Sequence, residues 1–91
     1  MLRRIVLDVL KPLTPIIADV ALLLSKLESV DGVNVHIYNR EPRVEFIRII
    51  IEGKNLNFKK ISKTLESMGA SIQSVDDICI GKKIVRDSFC S

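Results

Sequence analysis

The chain has 91 residues, 47% of them hydrophobic and only 4% aromatic, with a formal net charge of +3. That length gives one domain with an aliphatic core, covering residues 1–91, and the hydrophobic share excludes a disordered chain. The slight charge, without a basic stripe, argues against nucleic acid as the partner.

The N-terminal Met1-Leu2-Arg3-Arg4 has the look of a signal-peptide start, but Asp8, Lys11 and Pro12 interrupt the apolar stretch beyond it. No stretch approaches the roughly eighteen apolar residues that span a bilayer, so a cytoplasmic location is expected. Cys79 and Cys90 stand eleven apart without a CxxC pair. A buried free Cys79 and a loose Cys90 are expected rather than a disulfide.

The first strand is expected from about Arg3 to Leu10. Its core, Ile5-Val6-Leu7-Asp8-Val9-Leu10, is apolar on both faces and so needs cover on both. Thr14 then reads as an N-cap with Pro15 at the first helical position. Ile16, Ile17, Val20, Leu24 and Leu27 form the helix's broad apolar face, widened by Ala21 and Leu23. Asp31-Gly32 reads as the turn after the helix.

The second strand, Val33 to Arg40, alternates. Val33, Val35 and Ile37 share one side; Asn34, His36 and Tyr38 share the other. Asn39-Arg40-Glu41-Pro42 reads as a hairpin connection. The third strand, Arg43 to Glu52, puts Ile47, Ile49 and Ile51 on one face and Val44, Phe46, Arg48 and Ile50 on the other. Asn57 reads as the N-cap of a second helix, with Phe58, Ile61, Leu65 and Met68 as its stripe and Gly69 as its terminator. A fourth strand runs from Ser71 to about Ile80. The core of the domain thus spans about residues 3–81. Beyond it lies a tail, and Ile84, Val85 and Phe89 make it too apolar for a plain linker.

The order is βαββαβ. Ser25-Lys26-Leu27-Glu28-Ser29 in the first half is echoed by Ser62-Lys63-Thr64-Leu65-Glu66-Ser67 in the second. Two βαβ halves with right-handed crossovers give an α+β, ferredoxin-like sandwich: a four-stranded antiparallel sheet, order 4-1-3-2, with both helices on one face. The helices then cover Ile5, Leu7, Val9, Ile47, Ile49 and Ile51. Val6, Asp8, Leu10, His36, Tyr38, Val44, Phe46, Arg48 and Ile50 fall on the uncovered face. A large apolar share there points to association with other copies, through Val6, Tyr38, Phe46, Arg48 and Ile50. The competing expectation is that the tail folds over it.

Asp8, Asp76 and Asp77 are the residues to examine for chemistry. The first and fourth strands are antiparallel neighbours, and an even register puts Asp8 and Asp76 on one side, with Asp77 pointing away unless a bulge turns it. Converging carboxylates would take a hard cation, Ca²⁺ or Mg²⁺. The alternative is that Asp8 pairs with Arg48 and the other two are solvated. A carboxylate pair also serves glycosidases, but no cleft for a sugar is evident.

His36 lacks a second ligand at metal spacing, and no nucleophile–base arrangement has local support. RNA-binding sheets of this topology carry stacking aromatics, whereas Arg43-Val44-Glu45-Phe46-Ile47-Arg48-Ile49 lacks that motif and the first strand has no aromatic. The loop Lys11-Pro12-Leu13-Thr14-Pro15 has neither the cysteines of a metallochaperone nor free donors for phosphate. It bears a faint likeness to amino-acid-sensing (ACT) domains, which bind small metabolites between protomers.

Four stretches resemble one archaeal family, the uncharacterised domain of unknown function 211. They are Ile5 to Pro12, Asp31-Gly32-Val33-Asn34-Val35, Glu52-Gly53-Lys54-Asn55-Leu56-Asn57-Phe58 and Ser71-Ile72-Gln73-Ser74-Val75-Asp76-Asp77. The resemblance implies a ferredoxin-like fold, an archaeal source and homo-oligomeric assembly; it does not point to an activity, because the family has none established. Asp8, Asp76 and Asp77 lie in the matching stretches. The tail after Gly81 lies outside it.

Overall fold

Aliphatic residues at every second position of two adjacent strands organise the molecule. The computed structural model describes residues 1–86; Phe89 and Cys90 of the tail lie outside the described residues. The elements are β1 (Leu2–Pro12), α1 (Ile17–Ser25), β2 (Val30–Arg40), β3 (Val44–Gly53), α2 (Phe58–Ser67) and β4 (Ser71–Ile80). The sheet order is β2-β3-β1-β4, the expected neighbours written from the other edge, and every pairing is antiparallel. This α+β arrangement is compatible with a ferredoxin-like fold.

In the β1–β3 register Ile5 faces Ile51, Leu7 faces Ile49 and Val9 faces Ile47. All six are buried, and Val20 and Leu24 of α1 and Ile61 and Leu65 of α2 join them in one cluster. Directly opposed residues share a face, so both helices cover the same side, as expected. Val33, Val35 and Ile37 of β2 pack at its margin.

α1 starts later than Thr14-Pro15 predicts. Its N-cap is Ile16, in extended conformation with no side-chain cap. The strand is the cause. β1 does not stop at Leu10, because Lys11 and Pro12 still pair with Glu45 and Val44. Thr14 and Pro15 are therefore used in the crossover. Leu23 is exposed rather than part of the buried face.

The expected Asp31-Gly32 turn is also displaced. Both residues lie inside β2, where Asp31 is a bulge, and the turn precedes them. Ser29 takes the left-handed conformation there, φ 71°. Its carbonyl accepts from the Lys54 amide at 3.1 Å, tying the end of the first half to the end of β3.

α2 keeps closer to expectation. Asn57 Oδ1 accepts from the Lys60 amide at 3.1 Å, and Gly69 comes after the helix at φ 77°, the conformation glycine adopts without strain. Phe58 departs from its expected place in the buried stripe: it is exposed at the first helical position. Among the described residues no helix is long and apolar enough to cross a membrane.

Candidate functional site: the uncovered face of the sheet

Arg4, Val6, Asp8 and Leu10 of β1 alternate with core residues and so project from the side without helices. Phe46, Arg48, Ile50 and Glu52 of β3 stand opposite them. The sequence predicts a broad apolar patch here. Val6 is only 6% exposed, closed in by its own neighbours. Phe46 and Ile50 are half-buried, and Tyr38 and Arg48 are exposed. The face is a mosaic of apolar and charged groups.

Its centre is Asp8. Tyr38 is an extra residue in the β2–β3 ladder, a bulge between the Ile37 and Asn39 pairings. Bulges re-aim side chains, and the Tyr38 hydroxyl crosses β3 to donate to Asp8 Oδ1. The Arg48 guanidinium lies 5.8 Å from the centre of the Tyr38 ring, within cation–π range. Phe46 flanks the same ring at 6.2 Å between centroids. Arg48 faces Asp8 in register, but it stacks on Tyr38 rather than forming the expected ion pair. The hydrogen bond to Asp8 raises the Tyr38 pKa above its ordinary value, helped by desolvation and by the negative charges of Asp8 and Asp76. The phenol is held protonated, as a donor.

The other two aspartates are set by bulges in β4. Asp8 faces Ser74, not Asp76, and Val6 faces Asp77. Gln73 and Asp76 are the extra residues of that ladder. The Ser74 hydroxyl donates to Asp76 Oδ1 at 2.6 Å. Asp77 is turned by such a bulge and pairs with Arg4. The bulge at Asp76 shifts the alternation by one and returns Asp77 to the uncovered face. Asp8, Asp76 and Asp77 each have a separate protein partner. Among the described residues no group of three His, Cys, Asp or Glu side chains is placed to hold a metal. His36 is exposed, across the ladder from Arg48.

A charged cluster that sequence reasoning missed closes one end of the face. Arg4 is 3% exposed. It donates to Glu52 at 3.1 Å and pairs with Asp77, while Arg86 from the tail also reaches Glu52. A buried guanidinium has to be paired. The signal was an arginine at the even positions that Val6, Asp8 and Leu10 continue. Beside it the Val85 amide donates to Cys79 Sγ at 3.2 Å, and Cys79 meets the Lys83 carbonyl at 3.4 Å. The start of the tail therefore folds back over this end, in line with the competing expectation, and leaves Asp8 and Tyr38 uncovered. Cys79 is buried, as expected.

At the opposite end Lys11 is 1% exposed, bonded to Glu45 at 2.6 Å and to the Pro12 carbonyl at 2.7 Å. The lysine holds the Glu45 carboxyl below its ordinary range, against desolvation.

Comparison with known sequences gives two findings. The profile of a family described as DUF211, uncharacterized ArCR, matches residues 3–90. The match runs through the segment after Gly81, beyond the four stretches that carry the resemblance. An uncharacterized protein of the archaeon Methanocaldococcus jannaschii is 45% identical over 86 residues, 94% of this chain and 89% of that protein.

Proposed function

The chain belongs to DUF211, an archaeal family without an assigned activity, and from that premise we propose that it is a non-catalytic, ferredoxin-like domain that works by assembling with copies of itself. One observation carries this reading: large apolar side chains stand in solvent at two separate edges of the helix layer. Leu22 of α1 is 58% exposed and Ile78 of β4 is 54% exposed, each with apolar neighbours also in solvent. A small chain that leaves such residues outside its core gains stability by burying them against another chain. Light scattering at micromolar concentration tests the reading. A mass of several chains is expected, and a monomeric mass contradicts it.

A second reading gives the uncovered face a divalent cation. It is favoured by Asp8 and Asp77 both standing on that face, Asp77 opposite Val6 two residues along from Asp8. Binding would need water and the second oxygens of these carboxylates, because Ca²⁺ takes six to eight oxygen ligands. Calorimetry with Ca²⁺ and Mg²⁺ on the protein and on Asp8→Asn decides it. Heat lost in the variant supports a site there, and equal or absent heats end it.

A further inference from the structure

The segment after β4 is fastened to the sheet without entering its core. None of residues 81–86 is buried, and Val85 is 75% exposed. None of them belongs to the hydrophobic cluster. Polar contacts hold the segment instead. Arg3 Nη1 donates to the Lys82 carbonyl at 3.1 Å. Cys79 Sγ meets the Lys83 carbonyl and accepts from the Val85 amide. Arg86 pairs with Glu52. Sulfur is a weak donor and a weak acceptor, and an ion pair with one half-exposed partner adds little. This latch is weak beside the β1–β3 core.

Closure also strands a polar atom. Arg3 is the extra residue where the β1–β4 ladder slips between Leu2 and Arg4. Its Nε is buried with no hydrogen-bond partner among the described residues, while Nη1 of the same guanidinium reaches the segment. A buried, unsatisfied donor favours a motion that admits water.

Gly81 is where the segment can swing. Its amide donates to the Met1 carbonyl at 2.9 Å, which ties down the end of β4. Its φ is 136°, a conformation that other residues rarely adopt. A Cβ there would meet nothing within 4 Å, so backbone conformation rather than space calls for glycine.

Charge gives the closed form its purpose. Arg4 is one cation between two carboxylates, Glu52 and Asp77, and Arg86 supplies the second. Lifting the segment leaves this cluster one positive charge short. It also uncovers Cys79, which faces Arg4 in register and is 7% exposed with the segment in place.

We infer that residues 81–86 form a strap that opens about Gly81 while the sheet stays folded, and that the closed strap occupies Glu52 and shields Cys79. The rate at which Cys79 is alkylated tests it. The chain has two cysteines, so Cys90→Ser leaves Cys79 as the only thiol. N-ethylmaleimide is uncharged, so salt acts on the strap rather than on the reagent. In the Cys90→Ser protein alkylation is expected to be slow. Adding Arg86→Gln, or separately Gly81→Ala, should speed it about fivefold to thirtyfold with the urea midpoint unchanged. Loss of a nearby positive charge would by itself slow a thiolate reaction, so acceleration in Arg86→Gln reports opening. Added salt screens the Arg86–Glu52 pair and should speed the reaction only where Arg86 is present. Three results overturn the strap: Cys79 reacting at once, as a free thiol does; both variants reacting at the parent rate; or acceleration that comes only with a lower urea midpoint, which would mean that the thiol is reached by unfolding of the whole sheet.

Discussion

Tyr38 is the only tyrosine, and the chain has no tryptophan, so its ionisation can be monitored in the ultraviolet without interference. Its folded pKa is raised, chiefly by the Asp8 hydrogen bond. The stability this contact contributes is therefore present below the ordinary tyrosine value of about 10 and is lost as pH rises through the higher folded value. In Asp8→Asn the phenolate absorbance is expected to appear at lower pH than in the unmutated protein. An unchanged midpoint would mean that the carboxylate does not set it. Glu45 runs the other way. Its folded pKa is lowered by Lys11, so the pair stabilises above the unfolded value of about 4.3 and fails as pH falls through the folded one. Glu45→Gln should be less stable at neutral pH, and its melting temperature should fall less steeply in acid. Neither contact could be read from the sequence. Both join residues about thirty positions apart, Lys11 to Glu45 and Asp8 to Tyr38, and the second needs a bulge that no spacing announces.

The strands were legible because period-two alternation in Ile47, Ile49 and Ile51 leaves one solution for which side is buried. The Asn57 cap and the Gly69 stop were legible because their chemistry is local. The start of α1 was not, because Pro12 stays in the ladder opposite Val44 and moves the crossover along the chain. The carboxylate register failed for a similar reason: two extra residues in β4 put Ser74, not Asp76, across from Asp8. Glycine has unequal importance in these connections. A Cβ on Gly53 would collide with the Ser29 carbonyl oxygen and Leu56, whereas one on Gly32 would meet nothing within 4 Å. Gly53→Ala is expected to lose about 3 kcal/mol through forced backbone movement. Gly32→Ala should stay within about 0.5 kcal/mol. Urea midpoints for the two variants compare them directly, and equal midpoints would contradict the tight approach.

For the whole molecule, the sequence placed the exposed apolar surface on the bare side of the sheet. The structure leaves several of the exposed apolar residues at the edges of the helix layer instead: Val6 is buried, Phe46 and Ile50 are half-buried, and the start of the tail covers one end of the bare side. Burial by association would make the melting temperature depend on concentration. A rise is expected between micromolar and millimolar protein, and a constant value counts against assembly. Lys11 offers another view of the same molecule. Its amine is sealed between Glu45 and the Pro12 and Leu13 carbonyls, so an acylating reagent can reach it only when that end of the sheet opens. Surface lysines such as Lys59 should be tagged within the reagent's own reaction time, and Lys11 at a rate set by opening. Peptide mass mapping over time would then turn one sealed amine into a clock for the unfolding of the central strands.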